Sequence, residues 1–145
     1  MKDFSETTIR VRYAETDQMG VVYHSNYFIW FEVGRVELCR HLGFDYKEME
    51  IESDSFLVVA DVHCRYKHPA RFDDVLSVRT WLTQWQRRMV KFEYEIVDQQ
   101  SREVIATGHT THVVCDRLGR AKSLPEKYRK YFTIDTQAET ETAHT

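Results

Sequence analysis

The chain has 145 residues, a formal net charge of -3 and 42% hydrophobic residues, enough apolar surface for one packed core and too little length for two. The acidic balance excludes general nucleic-acid binding through phosphate neutralisation, and no segment reaches the roughly 18 apolar residues that a membrane helix needs. Three widely spaced cysteines, Cys39, Cys64 and Cys115, suggest neither a disulfide framework nor a metal knuckle, and without an apolar leader the expected location is the cytoplasm.

The first predicted element is a strand over Thr8 to Tyr13, with Ile9, Val11 and Tyr13 on one face and Arg10 and Arg12 on the other. After the stretch ETDQMGVVYHSN, a helix is predicted over Asn26 to Leu42 from Tyr27, Phe31, Gly34, Leu38 and Leu42 at intervals of three and four. Its first half is apolar nearly all round and is expected to be buried on most sides. Ser25 or Asn26 is placed to cap its start, and Gly43 to end it. A short helical piece follows around Asp45 to Glu50.

Four strands come next. Phe56, Val58, Ala60, Val62, Cys64 and Tyr66 alternate with Asp61, His63 and Arg65; the turn HPARFDD leads to a strand over Val75 to Trp85. Val90, Phe92, Tyr94 and Ile96 alternate cleanly with Lys91, Glu93 and Glu95, and DQQSRE links them to a strand over Val104 to Cys115. This order predicts an α+β domain over residues 1–132, an antiparallel sheet packed on one long helix. PEKYRKYF predicts a short terminal helix, and residues 133–145 a disordered tail.

The candidate chemistry lies between the first strand and the helix. A carboxylate there stands beside the N–H groups of a helix start, which favour negative charge. Asp17 can attack an acyl carbon or activate water, while the N–H groups near Tyr23 and His24 hold the resulting oxyanion. Gly20 permits a tight turn and close approach of a substrate. The residues alone read equally as helix-terminus acids, Glu15 and Asp17, followed by a surface His24.

Elsewhere, His109 and His112 are three apart on a strand and face opposite ways, which argues against a shared metal ion. Glu32 and Arg35 read as a helix ion pair. Arg87, Arg88 and Lys91, and likewise Arg117, Arg120 and Lys122, offer positive charge for phosphates or serve as solvated turns. Arg71 and Asp74 divide the same way between a pocket role and turn chemistry.

The run Tyr13, Asp17, Gly20, Val21, Val22, Tyr23, His24, Asn26 and Tyr27, with FEVGRVE and YKHPARFDD behind it, resembles the hotdog-fold acyl-CoA thioesterases of the 4-hydroxybenzoyl-CoA thioesterase type, nearest their bacterial branch related to the Tol-Pal-associated thioesterase. The resemblance spans roughly residues 7 to 130. It implies a hotdog fold, a five-stranded antiparallel sheet around the helix, and hydrolysis of an acyl-CoA without metal or cofactor. It further implies Asp17 as the catalytic carboxylate, Tyr13 and His24 as its partners, and the amide of His24 as the polariser of the thioester carbonyl. Gly20, Val21, Val22 and Tyr23 would line the substrate, with Arg87, Arg88 and Lys91 for the coenzyme A phosphates. Homodimers or homotetramers with sites at subunit interfaces are expected, and neither nucleic acid nor stable membrane insertion. The chain departs from the commoner D-T-D-x-G-G form at Glu15 and at Gln18-Met19, which bears on acyl preference. Two rival classes stay open: a hotdog hydratase or dehydratase, and a non-catalytic acyl-CoA-binding protein.

Overall fold

The structure, a computed structural model, describes residues 4–132. Five strands, β1 (Phe4–Arg10), β2 (Phe56–Tyr66), β3 (Val75–Gln86), β4 (Met89–Asp98) and β5 (Val104–Cys115), form one antiparallel sheet in the order β1-β3-β4-β5-β2. Three helices, α1 (Asn26–Leu42), α2 (Tyr46–Ser53) and α3 (Glu126–Arg129), accompany it. The predicted tail lies outside the described residues.

Apolar periodicity places α1 on the sheet. Tyr27, Phe31, Gly34 and Leu38 form its buried stripe, and the Phe31 ring stacks on Tyr94 of β4 at 4.3 Å between centroids. Gly34 sets how closely the helix approaches β3, since a Cβ there would stand 2.3 Å from Thr80 Oγ1. On β4 the expected alternation holds: Val90, Phe92, Tyr94 and Ile96 are buried in the layer beneath α1.

Four expectations change on contact with the structure. The first strand ends at Arg10, and a single 3-10 turn over Tyr13–Glu15 carries Tyr13 off the sheet, where it is 76% exposed. Neither Ser25 nor Asn26 caps α1 with its side chain. Ser25 is itself in right-handed helical geometry, so the carbonyls of Tyr23, His24 and Ser25 accept from Asn26, Tyr27 and Phe28 instead. Burial of the first half of α1 is one-sided, because Phe28 and Ile29 remain exposed. On β2, a bulge between Val59 and Asp61 switches the inward face from odd positions, such as Leu57 opposite Val114, to even ones, such as Cys64 opposite Gly108.

The expected Glu32–Arg35 pair does not form. Arg35 falls on the buried stripe and donates from Nη1 to Tyr94 Oη at 3.2 Å, while Glu32 stays exposed. A buried polar chain continues from there: Tyr94 Oη meets Thr110 Oγ1 at 2.6 Å, which meets His112 Nε2 at 2.8 Å. Burial, with the nearby Arg35 cation second, lowers the His112 pKa to about 4, so this imidazole is neutral at pH 7. His109 faces the other way and stacks on His63. No group of three or more potential metal ligands occurs among the described residues.

Asp45 accepts from the Lys47 and Glu48 N–H groups and starts α2, and Gly43 ends α1 in left-handed geometry. No helix of the described residues is long and apolar enough to cross a membrane.

Candidate active site

Between the 3-10 turn and α1 the chain folds back on itself. Asp17 N–H donates to Val21 O and Gly20 N–H to Asp17 O, both at 2.9 Å, while Thr16 bridges Val22. Gly20 sits at φ 80°, and a Cβ there would meet nothing, so glycine is needed for the backbone angle and not for space. Asp17 Oδ1 accepts from Met19 N–H at 2.9 Å and, at 3.4 Å, from Val21 N–H. These bonds orient the carboxylate from its own turn. Oδ2 has no donor among the described residues and is open to solvent.

The loop docks on the turn after β2. Val22 N–H donates to Ala70 O at 2.8 Å, and Val21 bridges Arg71. A cleft of about 380 Å³ results, lined by Asp17, Val21, Val22, His24, Tyr27, Tyr66, Lys67, His68 and Pro69. Of the residues picked out from sequence, Asp17, Val21, Val22 and His24 meet here. Tyr66, Lys67 and His68 were not picked out, although they stand in the YKHPARFDD segment; only the fold brings that segment against the Asp17 turn.

Two successive peptide groups at the helix start are held in place. Tyr23 O accepts from Asn26 N–H, and because the intervening peptide is trans, the His24 N–H is directed away from the helix. Tyr66 Oη donates to His24 O at 2.9 Å, and burial pushes this phenol up to about 12, so it remains a donor at neutral pH. The His24 N–H has no acceptor among the described residues. The Tyr23 N–H, expected to share the oxyanion role, is committed to Glu15 O at 2.9 Å. The His24 ring lies tilted at 40° against Tyr23, 4.3 Å between centroids, and makes no hydrogen bond to Asp17.

Tyr13 is not brought to Asp17. Its ring lies edge-on to Phe72 at 5.5 Å, outside the cleft. Arg87 and Arg88 form the β3–β4 turn at the opposite end of the sheet, where Arg87 Nε donates to Ser123 Oγ at 2.9 Å, and Lys91 follows on β4. Arg120 pairs with Asp116 and Asp74 accepts from the Arg71 N–H, both turn chemistry, while Lys122 Nζ donates across the fold to Ser53 O and Asp54 O.

Glu15 is the residue whose importance the sequence hid. It is 4% exposed; Oε1 accepts from Arg12 N–H at 2.7 Å, and Oε2 accepts from Trp30 Nε1 at 3.0 Å and Arg12 Nη2 at 3.4 Å. Its carbonyl accepts from Tyr23 N–H and from Asn26 Nδ2, both at 2.9 Å.

The sequence and the fold both have relatives. A profile of the thioesterase-like superfamily matches residues 11–132. YneP of Bacillus subtilis is 36% identical over 128 residues, covering 88% of this chain and 89% of its own. The acyl-CoA thioesterase YbgC of Haemophilus influenzae is 30% identical over 126 residues, 86% of this chain and 90% of its own. Among solved structures, the DHNA-CoA thioesterase of Staphylococcus aureus superposes with a TM-score of 0.82 at 31% identity, over 97% of this chain and 91% of that one. The hotdog architecture is shared with these structures, and the chain belongs to the thioesterase-like superfamily.

Proposed function

We propose that the chain is an acyl-CoA thioester hydrolase, with Asp17 as nucleophile or general base and the His24 N–H as the polariser of the thioester carbonyl. The observation that carries this reading is a carboxylate oxygen and a backbone N–H at the mouth of one cleft, both without partners among the described residues. A thiolate leaves without much protonation, so hydrolysis needs a nucleophile, a polarising donor and a positioned water. With Asp17 as base, a water oxygen bonds the acyl carbon as the carbon–sulfur bond breaks; with Asp17 as nucleophile, its carboxylate oxygen bonds the acyl carbon first, and water then hydrolyses the mixed anhydride to free acid and carboxylate. On both routes the electron pair of the broken bond leaves on the coenzyme A sulfur. The names of YbgC and the Staphylococcus aureus protein support the substrate class.

The site is completed, in this reading, by a second copy of the chain. Among the described residues β2 is an eleven-residue edge strand paired with β5 alone, and its flank exposes Val58, Val59, Val62 and Tyr66. Pairing two such edges gives a dimer, which can pair again into a tetramer. Arg87, Arg88 and Lys91 lie too far from Asp17 of their own chain to share its coenzyme A, so we assign them to the phosphates bound by a neighbouring copy.

The test is thiol release from short, long, branched and aromatic acyl-CoAs, with Asp17→Asn alongside and enoyl-CoA as a control. Thiol from wild type and almost none from the variant supports the reading. Loss of the enoyl chromophore with the thioester intact would replace it with a hydratase, and binding without release at every chain length with a sensor. Light scattering on the eluting protein reads the oligomer.

A further inference from the structure

We infer that Glu15 is a positioning residue for this reaction, one that sets the separation between the Asp17 carboxylate and the His24 N–H without touching the substrate. The inference rests on the thioesterase reading. Glu15 stands two residues before Asp17 and joins the Asp17 turn to the helix at three points. Its side chain takes the indole N–H of Trp30, one turn into α1; its carbonyl takes the Asn26 side chain at the first residue of α1; and the same carbonyl takes the Tyr23 N–H, next to His24. Arg12 closes the other side with its backbone N–H at 2.7 Å.

This arrangement demands a carboxylate. Both side-chain oxygens face N–H donors, and a carboxylate accepts on both, whereas glutamine accepts on one and donates from the other. A buried acceptor exchanged for a donor turns N–H against N–H, at Arg12 or at Trp30. The Asp17 turn must then shift relative to α1, and reacting groups misplaced by an ångström lose rate steeply. Because Glu15 does not line the cleft, substrate affinity should stay near its original value.

The experiment compares wild type, E15Q, W30F and the double variant, each checked for folding by circular dichroism below its melting temperature, with butyryl-CoA and benzoyl-CoA as probes. E15Q is expected to lose about tenfold or more in kcat with KM within about twofold. W30F, which removes one donor, should lose about threefold. In E15Q/W30F the glutamine amide no longer faces the indole, and the exposed Arg12 guanidinium, the other donor on that oxygen, can swing into solvent, so kcat should return to the W30F level. A residue that only stabilises the fold would leave kcat unchanged below the melting transition and give no such rescue. Folded E15Q with kcat within about twofold of wild type overturns the assignment, as does a loss that W30F fails to restore. Should E15Q not fold, the double variant carries the test: activity at the W30F level upholds the assignment, and activity well below it overturns it. Amide exchange separates this from the substrate reading. Faster exchange of the Tyr23 N–H in E15Q, with the Phe92 N–H unchanged, upholds the positioning role even where no acyl-CoA is cleaved; equal exchange at Tyr23 overturns it.

Discussion

At one end of the sheet, the loop before α1 and the turn after β2 enclose Asp17, His24, Tyr66 and Lys67. At the other, the β3–β4 turn presents Arg87 and Arg88 beside Ser123. Twelve-residue β3 separates the two ends, on the order of 35 Å of extended chain. The first end is densely hydrogen-bonded, with backbone amides, a buried carboxylate and a phenol all committed. The second is a hairpin turn whose Arg87 and Arg88 carbonyls accept from the Leu124 and Val114 N–H groups and whose arginine side chains make, among the described residues, one hydrogen bond, to Ser123. In the proposed reading, chemistry that depends on sub-ångström placement is accordingly assigned to the first, and recognition of a diffuse phosphate charge to the second.

The largest expected effect breaks the first end. Asp17→Asn should lower kcat by about a hundredfold or more, and, since the side chain is exposed, leave the melting temperature nearly unchanged. Steady-state thiol release and a thermal melt on the same sample check both halves. Between the two ends lies His112, buried in the core, with its pKa lowered to about 4. The unfolded chain binds a proton there near pH 6.5 and the folded one does not, so stability should fall as pH drops from about 6.5 to about 4, by on the order of 2 kcal/mol. Urea midpoints at pH 7 and pH 5 measure this, and His112→Gln should shrink the difference.

His24→Ala sharpens the contrast within the first end. The backbone N–H survives, so a loss in kcat of about tenfold or less is expected; an abolished rate would move the role from amide to imidazole. The smallest effect concerns the second end. Arg87→Ala with Arg88→Ala should raise KM for acyl-CoA by about fivefold with kcat unchanged, and should do nothing to an N-acetylcysteamine thioester, which lacks the phosphates. An equal rise for both thioesters would remove this end from the site.

What was legible from the residues follows the range of the interactions involved. The bounds of α1 and the inward face of β4 rest on local periodicity and on Gly43, and both could be read directly. The Asp17 turn was legible through its glycine. The phase of β2 was half right, because the bulge near Ala60 depends on pairing with β5. Arg35 was misjudged because charge suggested a surface pair where stripe position meant burial. Glu15 was unreadable for a deeper reason: its partners Arg12, Tyr23, Asn26 and Trp30 surround it only once the loop has docked on the helix.

The donor assigned to the thioester carbonyl belongs to the main chain, between a Tyr23 carbonyl held by Asn26 and a His24 carbonyl held by Tyr66. Nineteen of the twenty amino acids would present that same N–H at position 24, and only proline would delete it. In the proposed reading, a changed side chain at position 24 reshapes the mouth of the cleft at a moderate cost in kcat, while the N–H assigned as polariser stays in place. On that reading, a lineage carrying this loop would change what it cleaves without rebuilding how it cleaves.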